Sequence, residues 1–428
     1  MPRTTVLVVT LGLILASAAD ARALSLTLSG EFGAVVRPED AQAVYASDDE
    51  GVSTLITGVG LSMRSGGTVT EVGVPSMMPD GRVVFGAEIQ PADPSLKPGW
   101  HIYIGNADAV PSHRVMPAIN PGSNTPGCTP AFKSDPYPAA DAEGNITFIS
   151  AEPHGGDALF YYSNGRFRCL AKAGSKTNEG DEIDVLSFGS AQMGDVGEVV
   201  FNAFLAPGGN HPRGPHRQAL LLASPTRGIT ELAVEGDYGP NHTRYEQPFG
   251  LPAVVSTPHG GTEVAFTAKT PSGAALFEYD GHEMARVLPI GTLTPIGPVS
   301  YLSLGRPGLM ADGTTAVLAG CAGVPAIFRL SRQHLDLRIQ RGQMTPVGGA
   351  LDSLGDPVLT ASGAMFVGAT DRDGHGKIFV LSRDDALFEL GSPALIYRIA
   401  FTPQPRHSIF TGTLTVNQRG DFAYLGGN

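Results

Sequence analysis

A glycine-centred turn recurs seven times along the sequence, and this recurrence limits the possible folds more than any other feature. In each copy a short apolar segment meets the turn, and an aliphatic run follows that ends in an aromatic or aliphatic residue. The first copy is Ser76–Ala87. A spacing of 50 to 64 residues between successive copies indicates a stacked or radial array of one supersecondary unit. The anchor glycines are Gly81, Gly144, Gly197, Gly261, Gly313, Gly363 and Gly420.

Each repeat supplies four strands in two hairpins. A second strand pair follows the glycine turn, as in Ala158–Tyr162, and it continues through Asn164-Gly165 into a further strand. Asn-Gly and Asp-Gly pairs between alternating apolar runs are typical of β-hairpins, and no segment has the apolar periodicity of a long helix. We therefore predict an all-β fold, a seven-bladed β-propeller of four-stranded antiparallel blades. A linear β-solenoid is the alternative, but its coils are normally shorter and more uniform.

The two ends of the chain predict closure of the propeller. Residues 43–47 and 52–57 look like the outer two strands of a blade, and the segment around Gly420 looks like the inner two. We expect the N-terminal strands to complete the last blade, which would remove edges prone to aggregation. Residues 24–428 then form one domain, in which residues 24–39 have no assigned place.

Residues 1–23 read as a signal peptide. Pro2-Arg3 is the basic start, Val6–Ala16 is an apolar segment too short to span a bilayer, and small residues suitable for cleavage end at Ala23. No later stretch is long enough to anchor the chain. We therefore expect a secreted or periplasmic protein with no membrane span.

The composition argues against nucleic-acid partners and limits the disulfides that the chain can form. A net charge of −12 with only 16% charged residues argues against nucleic-acid binding, because no basic face is visible. Three cysteines leave at least one unpaired within the chain. Cys128 and Cys169 lie in adjacent repeats and could form a disulfide, whereas Cys321 reads as a small buried residue. We expect a monomer.

The last repeat resembles the consensus Asn-x-x-Gly-x-x-Ala-Phe of exported tandem-repeat propeller proteins. Asn417, Gly420, Ala423 and Tyr424 stand at its four positions, with Tyr in place of Phe. The Pro79-Asp80-Gly81 turn and apolar strand of the first repeat are more distantly similar to TolB-like propeller repeats. The resemblance implies the propeller architecture, and it implies no activity because the family has no assigned one.

Function in a propeller is expected on the face that carries the connections between strands B and C and between strands D and A, where A to D run along the chain within a blade. Long connections on this face contain histidine, aspartate, tyrosine and asparagine, which suit contacts to a protein or glycan. The candidate ligand-binding residues are His154, Asp157, His211, His216, Tyr238, Asn241 and His375.

A calcium site is a further hypothesis. Asp371 and Asp373 of the sequence Asp-Arg-Asp-Gly place two carboxylates on one tight turn, an arrangement suited to a hard cation such as Ca²⁺. The remaining ligands of a full calcium loop are missing. The alternative is that both aspartates only shape the turn through bonds to the backbone. The histidines of the same face could likewise bind a transition metal or be solvated loop residues.

No nucleophile motif or phosphate-binding glycine loop occurs in the sequence. Our leading hypothesis is therefore a non-catalytic binding module for a protein or glycan partner. The first alternative is a metal-dependent hydrolase or lyase, similar to a lactonase, with a cation at the mouth of the central channel. A structural envelope component without a discrete ligand is the second alternative.

Overall fold

The computed structural model shows a β-propeller arrangement of antiparallel sheets with almost no helix. A three-residue 3-10 helix, Pro240–His242, is the single helix among the described residues. The structure describes residues 43–47, 53–63, 66–78, 81–93, 95–109, 115–119, 129–141, 143–152, 155–194, 197–207, 216–257, 261–331, 334–345, 348–360, 362–371, 376–382, 387–390, 415–416 and 422–426.

Six sheets, blades 1 to 6, each use one continuous segment of chain, and a further sheet joins strands from both ends of the chain. This terminal sheet contains β1 (Ala43–Ser47), β2 (Ser53–Gly58), β32 (Thr415–Val416) and β33 (Phe422–Gly426). Blade 1 contains β3 (Thr68–Val72), β4 (Ser76–Met77), β5 (Val83–Gln90), β6 (Gly99–Gly105) and β7 (Val115–Ile119). Blade 2 contains β8 (Ala139–Ala140), β9 (Ile146–Ala151), β10 (Asp157–Ser163) and β11 (Arg166–Lys172). Blade 3 contains β12 (Ile183–Leu186), β13 (Gln192–Met193), β14 (Val199–Leu205), β15 (Arg217–Ser224) and β16 (Gly228–Val234).

The remaining blades follow the same order. Blade 4 contains β17 (Glu246–Phe249), β18 (Ala253–Ser256), β19 (Thr262–Thr270), β20 (Gly273–Tyr279) and β21 (Met284–Pro289). Blade 5 contains β22 (Leu293–Thr294), β23 (Gly297–Leu309), β24 (Thr315–Cys321), β25 (Val324–Ser331) and β26 (His334–Gln340). Blade 6 contains β27 (Leu351–Leu354), β28 (Val358–Leu359), β29 (Met365–Asp371), β30 (Gly376–Leu381) and β31 (Leu387–Leu390).

The hydrophobic core runs from blade to blade, because the two middle strands of a blade, B and C, are buried on both faces. One cluster joins Val84 and Ile102 of blade 1 to Phe148 of blade 2. Directly opposed positions on strands B and C carry stacked rings with centroids 5.2 to 5.9 Å apart, a geometry that stabilises beyond simple burial. These pairs are Phe85 with Tyr103, Phe148 with Phe160, and Phe266 with Phe277.

Tight turns connect strands A and B at five of the anchor glycines, as predicted, and Gly420 lies outside the described residues. In the first copy the Gly81 N–H donates to the Met78 carbonyl at 3.0 Å, and the Met78 N–H donates to the Arg82 carbonyl at 2.7 Å. Gly81 has a φ of 87°, which glycine adopts at little cost. The fourth copy differs, because the Thr257 N–H donates to the Gly261 carbonyl. Gly261 therefore occupies the position of Arg82, and its prediction as the anchor is wrong by one residue.

The innermost strand A is interrupted in most blades, which corrects the expectation of four strands each. In blade 1, β3 and β4 both pair with β5, and Gly73-Val74-Pro75 separates them while the Gly73 N–H donates to the Gly86 carbonyl at 2.8 Å. A Gly-x-Pro sequence also lies at the break in blades 4 and 6. Because proline has no N–H, it ends regular pairing there. Blades 1, 3, 4 and 6 thus have five strands, and blade 5 gains β22 from a hairpin.

Strands from the two ends of the chain share the terminal sheet. β1 pairs antiparallel with β33, with Ala43 opposite Gly426 and Ser47 opposite Phe422. β1 also pairs with β2, and β33 pairs with β32. β32 contacts the inner strands β4 of blade 1 and β28 of blade 6. The two ends of the described chain therefore lie in one sheet between the first and last blades.

Candidate functional site

The connections from strand D to the next strand A form a series of projecting β-hairpins. The connection that carries the candidate residues Tyr238 and Asn241 is one of them: the Gly236 N–H donates to the Tyr245 carbonyl and the Tyr245 N–H donates to the Asp237 carbonyl, both at 2.9 Å. Tyr245 is buried at the base of this hairpin. We call the end of the propeller that carries these hairpins and the B–C turns the hairpin face. Its described hairpins span residues 60–69, 174–183, 236–245, 291–299 and 342–351.

Paired glycines give four of these hairpins a common shape. Gly174 and Gly180 both have positive φ angles, and glycines with the same six-residue separation and the same sign of φ recur at 60 and 66, 291 and 297, and 342 and 348. The residue two positions after the first glycine pairs across each hairpin and projects from the face. These projecting residues are Ser62, Lys176, Tyr238, Leu293 and Met344.

At the base of each hairpin the register between strand A and strand B shifts. Two consecutive side chains of strand A therefore point away from the core. In blade 3 the shift lies between Ile183 and Val185, so that the side chains of Asp184 and Val185 are both exposed between buried neighbours. The equivalent shifts in blades 1, 4, 5 and 6 give the same result with different residues. The exposed or half-buried pairs are Thr70-Glu71, Asp184-Val185, Gln247-Pro248, Ser300-Tyr301 and Asp352-Ser353.

A buried ion pair fixes the hairpin of blade 3 to its B–C turn. The Arg217 guanidinium donates through Nη2 to Asp181 Oδ2 at 2.5 Å, and its Nη1 lies 3.6 Å from Asp237 Oδ1. The side chains of Arg217 and Asp181 are 10% and 6% exposed. A guanidinium has several N–H donors in a rigid plane, so it can bind two carboxylates at once. Arg217 therefore joins the hairpin before blade 3 to the one after it.

Acidic groups exceed basic ones around this ion pair. The Thr177 hydroxyl donates to Glu231 Oε1 at 2.6 Å and accepts the Asp181 N–H at 3.1 Å. Burial raises the pKa of Glu231, and the charges of Asp181 and Glu179 raise it further, while the Thr177 bond and Arg217 oppose them. The Glu231 carboxylate is therefore held in place by its hydrogen bond to the hairpin, and Arg217 stabilises its negative charge only weakly. The sector around blade 3 therefore carries a negative field.

The structure describes four of the predicted ligand-binding residues, and all four lie on the hairpin face. His216 Nδ1 is 3.1 Å from Asp184 Oδ2. Asp157 begins β10 and is half-buried, and burial raises its pKa while Lys133 opposes the rise. Tyr238 and Asn241 share one hairpin and are exposed, and Asn241 has a φ of 57°. His154, His211 and His375 lie outside the described residues.

The metal and disulfide hypotheses fall largely on residues that the structure does not describe. Asp371 ends β29, where its backbone alone is described, and Asp373 lies outside the described residues. Within the described part of the chain, no three His, Cys, Asp or Glu side chains are grouped so as to hold a metal ion. Cys169 is disulfide-bonded and Cys321 is a free, buried thiol. The pairing with Cys128 stays a prediction, because Cys128 is not among the described residues.

Sequence reasoning missed several residues that define the hairpin face. Arg217 and Asp181 form its buried ion pair, and Leu293 and Met344 are exposed at hairpin positions equivalent to Tyr238. The recurring Gly-x-x-x-x-x-Gly spacing between strands D and A was the signal that could have identified them. It predicts a hairpin with two left-handed positions, and hence which residue projects.

Comparison with known proteins identifies a family and finds several solved structures with partial similarity to this chain. The profile of a family of unknown function, DUF7453, matches residues 15–324. A puromycin-hydrolysing peptidase of Mycobacterium tuberculosis has a TM-score of 0.46 at 12% identity over 81% of this chain and 48% of that chain. An acylaminoacyl peptidase of Pyrococcus horikoshii has a TM-score of 0.44 at 8% identity over 75% and 46%. The SapL1 lectin, in complex with α-methyl fucoside, has a TM-score of 0.36 at 12% identity over 74% and 94%.

This chain spans about half the length of the two peptidases. No curated protein sequence matches it. Among the described residues, no helix is long and apolar enough to cross a membrane.

Proposed function

The chain belongs to DUF7453, a family of unknown function, and from that premise we propose that it is an exported binding module whose hairpin face takes a protein or glycan partner. The observation that carries this proposal is the repeated hairpin and bulge. One backbone geometry recurs around the face, and it presents different side chains in each blade. Variable side chains on a fixed scaffold are typical of recognition surfaces.

We infer that the terminal sheet is a seventh blade and that it closes the propeller. Three contacts support this inference: the pairing of β1 with β33, and the packing of β32 against β4 and against β28. Closure would leave no unpaired inner strand at the junction. It would also hold the hairpins at fixed positions, so that less conformational entropy is lost when a partner binds.

Export is part of the proposal and is supported by the sequence of residues 1–23. The basic start, the apolar segment and the small residues that end at Ala23 are typical of a secretory signal. An exported module would meet extracellular or periplasmic proteins and glycans. Expression with and without residues 1–23, followed by fractionation, tests this part by itself.

The proposed function is tested by immobilising the protein in two orientations. Ser272→Cys, in an exposed B–C turn of blade 4, places a biotin on the hairpin face, whereas Thr226→Cys, in an exposed C–D turn of blade 3, places it on the opposite face. Cys321 is buried, and Cys169 is disulfide-bonded. Wild-type protein treated with the same reagent reports any label that Cys128 takes up. Each form is presented to a glycan array and to a phage-displayed peptide library.

We expect ligands that bind the protein held through residue 226 and bind weakly or not at all when it is held through residue 272. Equal binding in both orientations would place the site elsewhere. Failure of every glycan and peptide to bind either form would overturn the binding-module proposal.

A further inference from the structure

Three consecutive hairpins of the hairpin face each expose one large apolar side chain at the same position. Tyr238, Leu293 and Met344 are 71%, 83% and 65% exposed. Each follows the first glycine of its hairpin by two residues, and each pairs across the hairpin with Arg244, Pro298 or Ala350. We call this set the apolar arc. It follows the hairpins before blades 4, 5 and 6.

The equivalent positions on the other described hairpins are polar, Ser62 and Lys176. The apolar character is therefore confined to one side of the face. Single exposed apolar residues are common on protein surfaces, but their repetition at equivalent sites on neighbouring elements is typical of interaction sites.

Three segments around the centre of the arc contain no charged residue. Residues 270–274 and 320–326 form the B–C turns of blades 4 and 5, and residues 289–300 form the hairpin between these blades. None of the three segments contains Asp, Glu, Lys, Arg or His. A partner seated here needs no charges opposite the centre of the arc, and burying charged groups there would be unfavourable.

The blade 3 end of the arc is acidic. The described hairpins and strand ends around Arg217 carry seven carboxylates and three cationic side chains. Because potentials across an interface are usually complementary, this end favours a basic surface. The acidic residues are Glu179, Asp181, Glu182, Asp184, Glu231, Glu235 and Asp237, and the basic ones are Lys176, Arg217 and Arg244.

We propose that the apolar arc docks a protein partner through a segment that presents apolar side chains next to Lys or Arg. The proposal rests on the proposed function and assigns it a partner class. The apolar side chains of the partner cover Leu293, Met344 and Tyr238, and its basic side chains lie over the acidic sector at blade 3.

A protein fits this surface better than a glycan does. Leu293 and Met344 offer neither a flat ring for a sugar to stack on nor a hydrogen-bonding group, and the charge-free segments around them supply no ionic partner for sugar hydroxyls. A second copy of the chain fits poorly, because each copy carries a net charge of −12 and two copies therefore repel each other.

The test uses a phage-displayed peptide library selected on the protein held through Thr226→Cys. The variant Tyr238→Ser/Leu293→Ser/Met344→Ser removes the arc and keeps the hairpin glycines. Met116→Ser is the matched control, since Met116 is 58% exposed on an outer strand of blade 1. Circular dichroism and the unfolding temperature verify that both variants remain folded. Affinities of selected synthetic peptides are then measured by fluorescence anisotropy at about 0.05 and 0.5 M NaCl, where screening differs strongly.

We expect the selected peptides to be rich in apolar residues flanked by Lys or Arg. Their affinity should fall about tenfold or more in the triple variant, as for the loss of buried anchor side chains, and should be unchanged in Met116→Ser. Affinity should also fall at the higher salt concentration. Peptides that bind the triple variant equally well, or that are acidic, would overturn the proposal.

Two further outcomes separate the failure of this inference from the failure of the proposed function. Binding of glycans, lost in the triple variant, would keep the binding module but overturn the protein partner. Self-association of the wild-type protein, detected by sedimentation at increasing concentration and lost in the triple variant, would replace the partner by a second copy. No orientation-dependent ligand of any class would overturn both proposals.

Discussion

At the scale of single residues, Asp135 is a buried carboxylate at the contact between two blades. Its carboxylate accepts hydrogen bonds from the Val74 N–H of blade 1 and from the Tyr137 N–H two residues later in the chain, both at 3.0 Å. A Cβ on Gly86 would approach Asp135 Oδ1 to 2.5 Å, so that the carboxylate fits only against glycine. Burial raises the pKa of Asp135 to about 6, the two backbone bonds oppose the rise, and the charge of Glu71 adds to it.

The raised pKa predicts that Asp135 weakens the fold as pH increases. The native state holds the proton up to about pH 6, whereas an unfolded aspartate loses it near pH 4. The native state therefore binds more protons between these values, and the free energy of unfolding must fall as pH rises through this window. We expect the wild type to lose roughly 1–3 kcal/mol relative to Asp135→Asn between about pH 4 and 6.5 in urea titrations.

Asp93→Asn is the control for this prediction. Hydrogen bonds from the Ser95 hydroxyl and N–H lower the pKa of Asp93, so its variant should show a small effect of the opposite sign. A parallel pH dependence of the wild type and Asp135→Asn would contradict the assignment of the slope to Asp135.

At the scale of elements, two Arg–Asp pairs brace hairpins of the same face in different environments. Arg217 and Asp181 are buried, whereas Arg341 and Asp352, with Nη2 and Oδ1 2.6 Å apart, are about half exposed. Loss of one partner of a buried pair leaves an uncompensated charge, but an exposed pair contributes little. We expect Arg217→Ala to lower the free energy of unfolding by about 3–5 kcal/mol and Arg341→Ala by less than about 1 kcal/mol.

Urea denaturation at fixed pH and salt measures both variants. Replacing both members of the buried pair, Arg217→Met with Asp181→Leu, should recover part of the loss, because no unpaired charge then remains. Equal destabilisation by Arg217→Ala and Arg341→Ala would show that the hairpins do not depend on burial of the ion pair.

The same elements show how far sequence reasoning reaches. Strands B and C and the turns at Gly81 and Asn164-Gly165 were predictable, because local periodicity and turn chemistry specify them. The breaks in strand A were missed, although a Gly-x-Pro sequence marks three of them. That both halves of the strand pair with the same strand B depends on contacts distant in sequence, such as the hydrogen bond from Gly73 to Gly86. The connection that carries Tyr238 and Asn241 was not recognised as a hairpin for a similar reason. Its base is held by burial of Tyr245 against the rings of Phe249 and Phe277, which follow later in the chain.

At the scale of the whole molecule, the proposed closure makes a covalent test possible. Ala46 of β1 lies opposite Ala423 of β33, so cysteines at these two positions should form a disulfide that links the two ends of the propeller. Such a link closes nearly the whole chain into one loop and restricts the unfolded state, which in the chain-entropy account adds about 4–6 kcal/mol to the free energy of unfolding. We expect Ala46→Cys/Ala423→Cys to oxidise readily and to unfold at a higher urea concentration than its reduced form.

The wild type, oxidised and reduced, is the control, because Cys169 is already disulfide-bonded and its reduction alone changes stability. The gain must therefore exceed the difference between the two wild-type forms. A pair of cysteines that stays reduced under mild oxidation would contradict the pairing of β1 with β33. A disulfide that forms but leaves the unfolding midpoint unchanged would mean that the terminal sheet opens before the rest of the molecule. The hairpins beside it would then be held by their own blades and not by the ring.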